Sequence, residues 1–312
     1  MNVYKNIAEI GYDLNTVITV GTFDGVHKGH QNLINKLLKL SEEVALRHIL
    51  ITIHPHPQIV LKKENKPKIH LLNTIDERIE LFDKNHVKNV LVLEFTQELA
   101  ETSAKDFIVE ILHKNIGFKK ILVGYDHNFG KNREGNKELL QELSVKHNFE
   151  LINFGPYSEN DNVISSSKIR NMLLNNEIEH ANQMLGYVYN LTGKVFRGEN
   201  RGEKIGFPTA NIYVENINKL LPANGVYFVY SIIDNVKYFG MANIGIRPTV
   251  SDTDEVRLEV HYFGINKKLY DKRIRVHFVE FIRKEVKFDS LSELVLQLQK
   301  DKEYSIALTK KY

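Results

Sequence analysis

Cysteine and tryptophan are both absent from this chain of 312 residues. The absence of cysteine excludes disulfide bonds and thiolate-bound metal sites such as zinc ribbons. Long apolar runs are also missing, since no stretch approaches the ~18 consecutive apolar residues of a transmembrane helix. Residues 1–13 (MNVYKNIAEIGYD) contain no apolar core of a secretory signal. We therefore expect a cytoplasmic protein without a membrane partner.

A strong excess of charge of one sign is lacking too. The 42 Lys and Arg residues face 39 Asp and Glu residues, which leaves a formal net charge of +3. Proteins that bind nucleic acids usually carry clustered basic residues, and this chain has no long basic run. We therefore expect no nucleic-acid partner. The small positive excess suits a polyanionic small molecule such as ATP.

The first half of the chain alternates strand-like and helix-like segments. Strands are predicted at Thr16–Thr22, His48–Ile53, Asn89–Leu93, Lys120–Gly124 and Phe149–Asn153. Helices are predicted around residues 33–45, 76–85, 103–113, 136–147, 166–175 and 177–185. This alternation predicts a parallel sheet with helices on both faces. Ligands of such sheets bind beyond the carboxyl ends of the strands.

The second half has a different texture from about Tyr187 onward. Strand-like runs at Gly225–Ile233, Lys237–Ile244, Arg257–Phe263 and Arg275–Ile282 follow one another without intervening helices, and a final helix is predicted at Leu291–Leu308. Such a pattern predicts an antiparallel barrel or sandwich. A chain of this length is expected to form two domains, which we place at 1–185 and 186–312.

The first group of chemical residues follows the first predicted strand. Residues 21–30 (GTFDGVHKGH) carry His27 and His30 into the start of a helix, with Gly29 between them. Glycine allows close approach of the backbone to a ligand, and a helix N-terminus offers free N–H groups to an anion. Two imidazoles at this point can donate hydrogen bonds to phosphate oxygens. The segment resembles the signature of the nucleotidyltransferase superfamily.

Three further segments of the first half resemble prokaryotic FAD synthetases in the same order. Residues 52–57 (TIHPHP) resemble Thr-Phe-x-Pro-His-Pro, with Ile53 in place of Phe. Residues 123–130 (VGYDHNFG) resemble Val-Gly-x-Asp-Phe-x-Phe-Gly, with His127 in place of the first Phe. Residues 164–170 (ISSSKIR) resemble Ile-Ser-Ser-Thr-x-Ile-Arg, with Ser167 in place of Thr. Serines here can cap a helix, and Arg170 can bind a phosphate through its fork of N–H groups.

The β-rich half resembles riboflavin kinases. Its glycine-rich segment 193–211 ends in GFPTAN, the hallmark of that family, and glycines in such a loop allow backbone to wrap phosphates. Residues 242–249 (ANIGIRPT), 258–261 (LEVH) and 283–288 (RKEVKF) resemble further family segments in order. In the third of these four segments, the family's glutamate is the catalytic base, which corresponds to Glu259.

Together these motifs identify the chain as a member of the bifunctional riboflavin kinase/FMN adenylyltransferase family. The resemblance implies a Rossmann-like α/β nucleotidyltransferase domain, followed by an all-β kinase domain: a six-stranded antiparallel β-barrel with a C-terminal helix. It implies that the second domain phosphorylates riboflavin to FMN and that the first adenylylates FMN to FAD, releasing pyrophosphate. ATP is the implied co-substrate of both steps, FMN and FAD are the products, and Mg²⁺ is the implied metal.

The resemblance also assigns roles to individual residues. The catalytic residues are Glu259, His27 and His30. The ATP-binding residues are Gly21, Phe23, Asp24, Gly29, Ser165, Ser166, Ser167 and Arg170 in the first domain, and Gly198, Gly202, Thr209 and Asn211 in the second. The flavin-binding residues are Pro55, His56, Asp126, Phe129 and Arg247. Thr209 and Asn211 are the implied magnesium ligands, and oxygen donors of this kind suit a hard cation that bridges phosphates.

Three alternatives stay open at this point. The exchanges at Ile53, His127 and Ser167 allow a riboflavin kinase whose first domain is a weak or non-catalytic flavin- or nucleotide-binding module. A nucleotidyltransferase acting on pantetheine phosphate or nicotinamide mononucleotide would lack the GFPTAN half. A nucleic-acid-binding barrel would need clustered basic and aromatic residues on one face.

Overall fold

The computed structural model describes residues 1–61, 68–124, 129–159, 162–198, 201–247 and 255–312. For Arg201, Ile246, Arg247, Glu255 and Val256 the description covers the backbone alone. The chain divides into two compact units, Met1–Ser166 and Ser167–Tyr312.

The first unit is built on a parallel six-stranded sheet, as the alternating pattern predicts. Its strands are β1 (Asn2–Tyr4), β2 (Thr16–Gly21), β3 (Arg47–His54), β4 (Asn89–Glu94), β5 (Lys120–Gly124) and β6 (Glu150–Phe154). They lie in the order β1-β4-β3-β2-β5-β6. The three-residue β1 was not predicted, because so short a segment shows no clear strand pattern. Loops leaving β2 and β3 are neighbours, because Gly21 pairs with Thr52.

Helices and short turns connect these strands. The helices are α1 (Lys28–Glu43), α2 (Pro57–Val60), α3 (Ile75–Lys84), α4 (Gln97–Glu101), α5 (Ala104–Asp106), α6 (Lys114–Ile116) and α7 (Lys137–His147). Residues Phe107–His113 form a π-helix, so the helix predicted at 103–113 is found in two consecutive pieces, α5 and the π-helix, and α6 extends it to Ile116. Short 3₁₀ helices lie at Ile7–Glu9 and Lys131–Arg133. A two-stranded ribbon of β7 (Ser158–Glu159) and β8 (Asn162–Val163) follows β6.

Apolar side chains cover both faces of the sheet. One cluster joins α1 and α3 to the sheet through Leu33, Ile34, Leu37, Phe82, Leu50 and Val90. The other joins the π-helix and α7 to it through Phe107, Leu112, Leu140, Leu143, Ile49 and Ile121. Burial on both faces is what makes parallel strands read as continuous apolar runs. The side chains predicted to function in this unit therefore lie in the loops at the strand ends and in the helices that follow those loops.

The second unit contains a closed barrel, as expected from the family resemblance. Its elements are α8 (Ser166–Leu174), α9 (Ile178–Leu185), β9 (Asn190–Phe196), α10 (Arg201–Lys204), β10 (Ala210–Tyr213), β11 (Gly225–Ile233), β12 (Val236–Arg247), β13 (Glu255–Tyr262), β14 (Arg273–Arg283) and α11 (Leu291–Leu308). Six antiparallel strands close in the order β10-β13-β12-β11-β14-β9. Closure leaves no unpaired sheet edge.

Helices α8 and α9 fall almost entirely in the second unit, although the sequence-based boundary assigns them to the first domain. Asn182 of α9 explains part of this grouping, since its amide donates to the carbonyl of Phe278 at 2.8 Å and accepts from the N–H of Tyr189 at 2.7 Å. The functional boundary at 185/186 stays a prediction.

A buried ion pair fastens α11 to the barrel. Arg283 Nε lies 2.9 and 3.0 Å from the two carboxylate oxygens of Asp301, and Arg283 Nη2 lies 2.7 Å from Oδ2. The Asp301 side chain is only 2% exposed. Gln297 donates a further hydrogen bond to this carboxylate at 2.8 Å.

Across the described ranges, none of the helices has the length and apolar character to cross a bilayer.

Candidate functional site

A tight loop with an uncommon backbone leads from β2 into α1. Phe23 and Val26 have φ angles of 49° and 35°, and Gly25 has a φ of 90°. Residues other than glycine rarely adopt this left-handed backbone conformation, and those that do cluster at ligand sites. Phe23 and Val26 are buried, at 3% and 0% exposure, so core packing holds the loop in this shape.

The loop presents His27 and His30 as a stacked pair. Their ring centroids are 3.7 Å apart and their planes differ by 13°. The Nδ1 atom of His27 accepts a hydrogen bond from the N–H of His30 at 3.3 Å and thereby caps α1. This tautomer leaves the proton of a neutral His27 on Nε2. A Cβ atom at Gly29 would lie 3.2 Å from the His27 ring, so a side chain there would crowd this histidine.

The surroundings of His30 favour its neutral imidazole form. Burial lowers its pKa well below the ordinary value, and the nearby His27 and Arg78 lower it further. Its Nδ1 atom is buried and has no partner among the described residues. Buried polar atoms are normally hydrogen-bonded, and an exception invites a ligand explanation. The pair can therefore offer imidazole N–H groups to an anion at the start of α1.

Asp24 stabilises this loop through hydrogen bonds to neighbouring segments. Its two carboxylate oxygens accept hydrogen bonds from the backbone N–H groups of Leu72 and Asn73, at 3.1 and 3.0 Å. Its carbonyl accepts from the hydroxyl of Ser166 at 2.8 Å. Phe23 lies edge-on to His30, with ring centroids 5.3 Å apart, and Gly21 is close beside the Phe23 ring. These contacts support the histidines, and ATP contacts of Gly21, Phe23, Asp24 and Ser166 stay predictions.

The predicted flavin residues lie in several places. The peptide bond between His54 and Pro55 is cis, at the carboxyl end of β3. His56 caps α2, because its Nδ1 accepts from the N–H of Gln58 at 3.2 Å. Phe129 is 9% exposed and packs on Phe107. Asp126 lies outside the described residues.

The remaining serines and arginine of the first-half motifs lie at α8. Ser165 precedes the helix and Ser166 begins it, both within the first unit. Ser167 and Arg170 belong to the same helix but to the second unit. Their roles at the phosphates stay predictions.

Arg78 was missed by the sequence analysis. It is 2% exposed and lies in α3, where Thr74 and Glu77 form a capping box. Its guanidinium donates hydrogen bonds to the carbonyl of Thr22 and, at 2.9 Å, to the hydroxyl of Thr52. One feature of the sequence could have indicated Arg78. It is a cation near the N-terminus of a predicted helix, where the helix dipole disfavours positive charge.

A second polar cluster lies on the barrel. Asn211 of β10 pairs directly with Glu259 of β13, which pairs directly with Asn243 of β12. Directly paired residues of antiparallel strands point to the same face, so these three side chains form one row. The hydroxyl of Thr209 lies 3.4 Å from a carboxylate oxygen of Glu259. The structure thus brings together Thr209, Asn211 and Glu259, which sequence reasoning assigned to one site.

The glycine-rich segment packs closely on this cluster. A Cβ atom at Gly198 would lie 2.3 Å from the amide nitrogen of Asn211. A Cβ atom at Gly202 would lie 2.3 Å from the carbonyl oxygen of Phe207. Side chains at either position would displace backbone or Asn211, so both glycines are required by close approach. The side chain of Arg247 lies outside what the structure describes.

The approach to Thr209 is fixed by its neighbours. His261 Nδ1 lies 2.9 Å from the carbonyl oxygen of Pro208, and the Phe207 ring lies edge-on to His261 at 5.3 Å. The backbone before Thr209 is thereby fastened to β13. On the other side of the row, Asn243 donates to Glu285 at 3.0 Å, which gives the glutamate of the RKEVKF segment a role in orienting this row.

The donor set of the barrel cluster fits a magnesium ion. Hydroxyl, amide and carboxylate oxygens are hard donors, and Mg²⁺ typically binds few protein ligands, retaining waters and bridging phosphates. Within the described ranges there is no cluster of three or more His, Asp or Glu residues that would form an all-protein metal cage. A site shared between protein and nucleotide is consistent with both observations.

Comparisons with known proteins find a different family model in each half of the chain. The FAD synthetase family model matches residues 10–168, and the riboflavin kinase family model matches residues 185–309. Proteins named bifunctional riboflavin kinase/FMN adenylyltransferase are similar along nearly the whole chain. The one from Buchnera aphidicola subsp. Schizaphis graminum is 37% identical, covering 96% of this chain and 94% of its own. Those from Bacillus subtilis and Escherichia coli K12 are 34% and 32% identical, covering 93% and 91% of this chain and 92% and 90% of theirs.

A solved structure has the same fold over its full length. The crystal structure described as a macrolide-efflux protein from Streptococcus pneumoniae aligns with a TM-score of 0.86 and 31% identity. The alignment covers 100% of this chain and 99% of that one. Family models, full-length relatives and fold agree, and the chain therefore belongs to the bifunctional riboflavin kinase/FMN adenylyltransferase family.

Proposed function

We propose that the barrel unit phosphorylates riboflavin to FMN and that the first unit adenylylates FMN to FAD, with ATP consumed in both steps. The observation that carries the proposal is the presence of one distinct polar cluster in each unit, each matching a different phosphate chemistry. The cytoplasm stays the predicted location of this reaction.

In the kinase step the 5′-hydroxyl of riboflavin attacks the γ-phosphorus of ATP, and ADP leaves. A hydroxyl is a weak nucleophile, so a base that accepts its proton lowers the barrier. We assign this role to Glu259, and the assignment is supported by its contact with Thr209 and its strand pairing with Asn211. Thr209 and Asn211 would hold Mg²⁺ together with the ATP phosphates. The ion would neutralise phosphate charge there.

In the adenylylation step a phosphate oxygen of FMN attacks the α-phosphorus of ATP, and pyrophosphate leaves. This nucleophile is already an anion and needs no strong base. Catalysis then depends on positioning and on donors for the developing negative charge. The stacked imidazoles of His27 and His30 at the start of α1 suit that requirement. Ser167 and Arg170 are the predicted further phosphate contacts.

A chromatographic product assay with riboflavin, ATP and Mg²⁺ tests the proposal. FMN followed by FAD is the expected product sequence. FMN without FAD, also when FMN is supplied, would contradict the first-unit activity and favour a binding module. FAD from supplied FMN without any FMN from riboflavin would contradict the barrel activity.

A further inference from the structure

Arg78 joins the starts of two loops. One terminal nitrogen of its guanidinium donates to the carbonyl of Thr22, to the hydroxyl of Thr52 at 2.9 Å and to the carbonyl of Ile53 at 3.1 Å. The other lies 3.2 Å from His54 Nδ1. Thr22 opens the loop that carries His27 and His30. Residues 52–54 end β3 and open the loop that carries Pro55 and His56.

The cross-link lies where the two strands end side by side. Gly21 and Thr52 are register partners, so the loops leave the sheet at adjacent points. A guanidinium that bonds to both loops fixes their separation. The distance between the stacked histidines and the segment that follows β3 thus depends on one buried side chain of α3.

The same side chain brings a positive charge into the interior. Arg78 makes no ion pair with any residue in the part of the chain that the structure describes, and its Nε atom is buried without a partner there. Burying a cation is costly even when it is hydrogen-bonded, and this cost is a reason to look for a function of the charge. Burial lowers the pKa of Arg78 to about 10, while Asp24 opposes that shift.

This charge acts on neighbouring imidazoles. The charged and titratable groups of the elements packed here are Asp24 from the loop after β2, His27 and His30 at the start of α1, His54 at the end of β3, and Asp76 and Glu77 from α3. Burial first, then Arg78, lowers the pKa of His54, which Asp76 partly offsets. The pKa of His30 is lowered by burial, then by His27, then by Arg78. We therefore expect removal of the arginine charge to raise the pKa of both imidazoles.

We propose that Arg78 is a positioning residue for adenylyl transfer, which sets the spacing of the two loops and maintains a buried positive charge beside His30 and His54. The proposal rests on the proposed function of the first unit. It assigns Arg78 no contact with substrate, because its terminal nitrogens are occupied by Thr22, Thr52, Ile53 and His54.

The chain provides a matched control at the opposite end of the same strands. Arg47 donates through Nε to the hydroxyl of Thr16 at 3.0 Å, and through its terminal nitrogens to the carbonyls of Gly11 at 2.8 Å and Ile116 at 3.2 Å. Arg47 and Thr16 are register partners at the starts of β3 and β2. Both arginines therefore clamp β2 and β3 by similar contacts, but only Arg78 lies beside the histidines.

The test compares Arg78→Gln, Arg78→Lys and Arg47→Gln in the full-length chain. FAD formation from FMN and ATP is measured as kcat and KM across a pH series, with FMN formation from riboflavin as the internal control. A misplacement of about 1 Å can cost about 10²-fold in rate, so we expect a kcat loss of about that size in Arg78→Gln. We also expect its acid-side inflection to move to higher pH.

Arg78→Lys keeps the positive charge but loses the guanidinium N–H groups that bond to both loops. We therefore expect a lower kcat, with the acid-side inflection of the pH profile at its wild-type position. Arg47→Gln should lose thermal stability with the wild-type pH profile. The proposal is overturned if Arg78→Gln keeps wild-type kcat and inflection, or if Arg78→Gln and Arg47→Gln change only in melting temperature. Should Arg78→Gln not fold, wild-type kcat in Arg78→Lys overturns it. Absence of FAD formation by the wild-type chain would contradict the proposed function instead.

Discussion

The two polar clusters present different side chains, and the proposed function relates this difference to their different nucleophiles. The first unit offers paired imidazoles at a helix N-terminus, while the barrel offers a carboxylate on a strand next to hydroxyl and amide oxygens. A phosphate anion needs charge stabilisation and positioning, whereas a hydroxyl also needs a base. Under the proposed function, the protonation state of each nucleophile determines which residues its phosphate-transfer site requires.

The largest expected effect comes from removing the carboxylate of Glu259, which distinguishes the barrel cluster from the first one. We expect Glu259→Gln to lower FMN formation by about 10²–10⁴-fold, the range for general base catalysis, because the amide cannot accept the hydroxyl proton. FAD formation from supplied FMN should not change. Glu280→Gln is the matched control, since Glu280 lies on β14 and accepts from Tyr304 at 2.7 Å. Near-normal FMN formation by Glu259→Gln would remove the base assignment.

The reciprocal variant acts on the first unit. We expect His30→Ala to lower FAD formation by about 10²–10³-fold, as for loss of one preorganised donor. FMN formation should be retained. His113→Ala serves as the control, because His113 packs edge-on to Phe118 elsewhere in the same unit. Loss of both activities in a folded His30→Ala protein would argue against separate sites.

A stability variant distinguishes the two units without touching either cluster. Asp301→Ala leaves Arg283 without its carboxylate partner, and breaking a buried pair costs about 3 kcal/mol. Chemical denaturation should show this loss in a transition that removes FMN formation. The control is Asp234, whose exposed carboxylate pairs with Lys267 and Lys272, and Asp234→Asn should have little effect because exposed pairs contribute little. Equal losses in the two variants would contradict the structural role of the buried pair.

The smallest expected effect concerns pH. Burial and then His147 lower the pKa of His113, so the native state binds fewer protons than the unfolded chain. Above about pH 6.5 His113 is neutral in both states and does not reduce the free energy of unfolding. As pH falls below that value, the unfolded chain takes up the proton more readily and the free energy of unfolding decreases. His113→Phe should make the unfolding free energy less steep between about pH 6.5 and 5. The unfolding free energy is measured by urea titration at several pH values in that range. An unchanged dependence of this free energy on pH in the variant would contradict the assignment.

Sequence patterns predicted the framework well where local and long-range signals agree. The bounds of β5, β11 and α11 match the prediction, because each is a clear apolar or amphipathic run with defined ends. The six-strand count of the barrel came from family resemblance, since closure depends on pairings between distant segments. Short elements such as β1 and β10 carry too few residues to show a pattern.

The sites were predictable only in part. Motifs selected His27, His30, Thr209 and Glu259 as candidates, but the 3.7 Å stacking of the histidines and the row across β10, β13 and β12 are products of tertiary structure. Arg78 was not predicted, because its acceptors come from strands far away in sequence. A buried polar side chain that serves other loops leaves little trace in its own segment.

The most direct test of two independent sites is to mix the two defective variants. Glu259→Gln and His30→Ala are each incubated with riboflavin, ATP and Mg²⁺, alone and together, and products are separated by chromatography. Each alone should make little or no FAD, while the mixture should convert riboflavin to FAD, because FMN made by one variant is used by the other. A mixture that makes FMN but no FAD, although Glu259→Gln converts supplied FMN, would contradict the account.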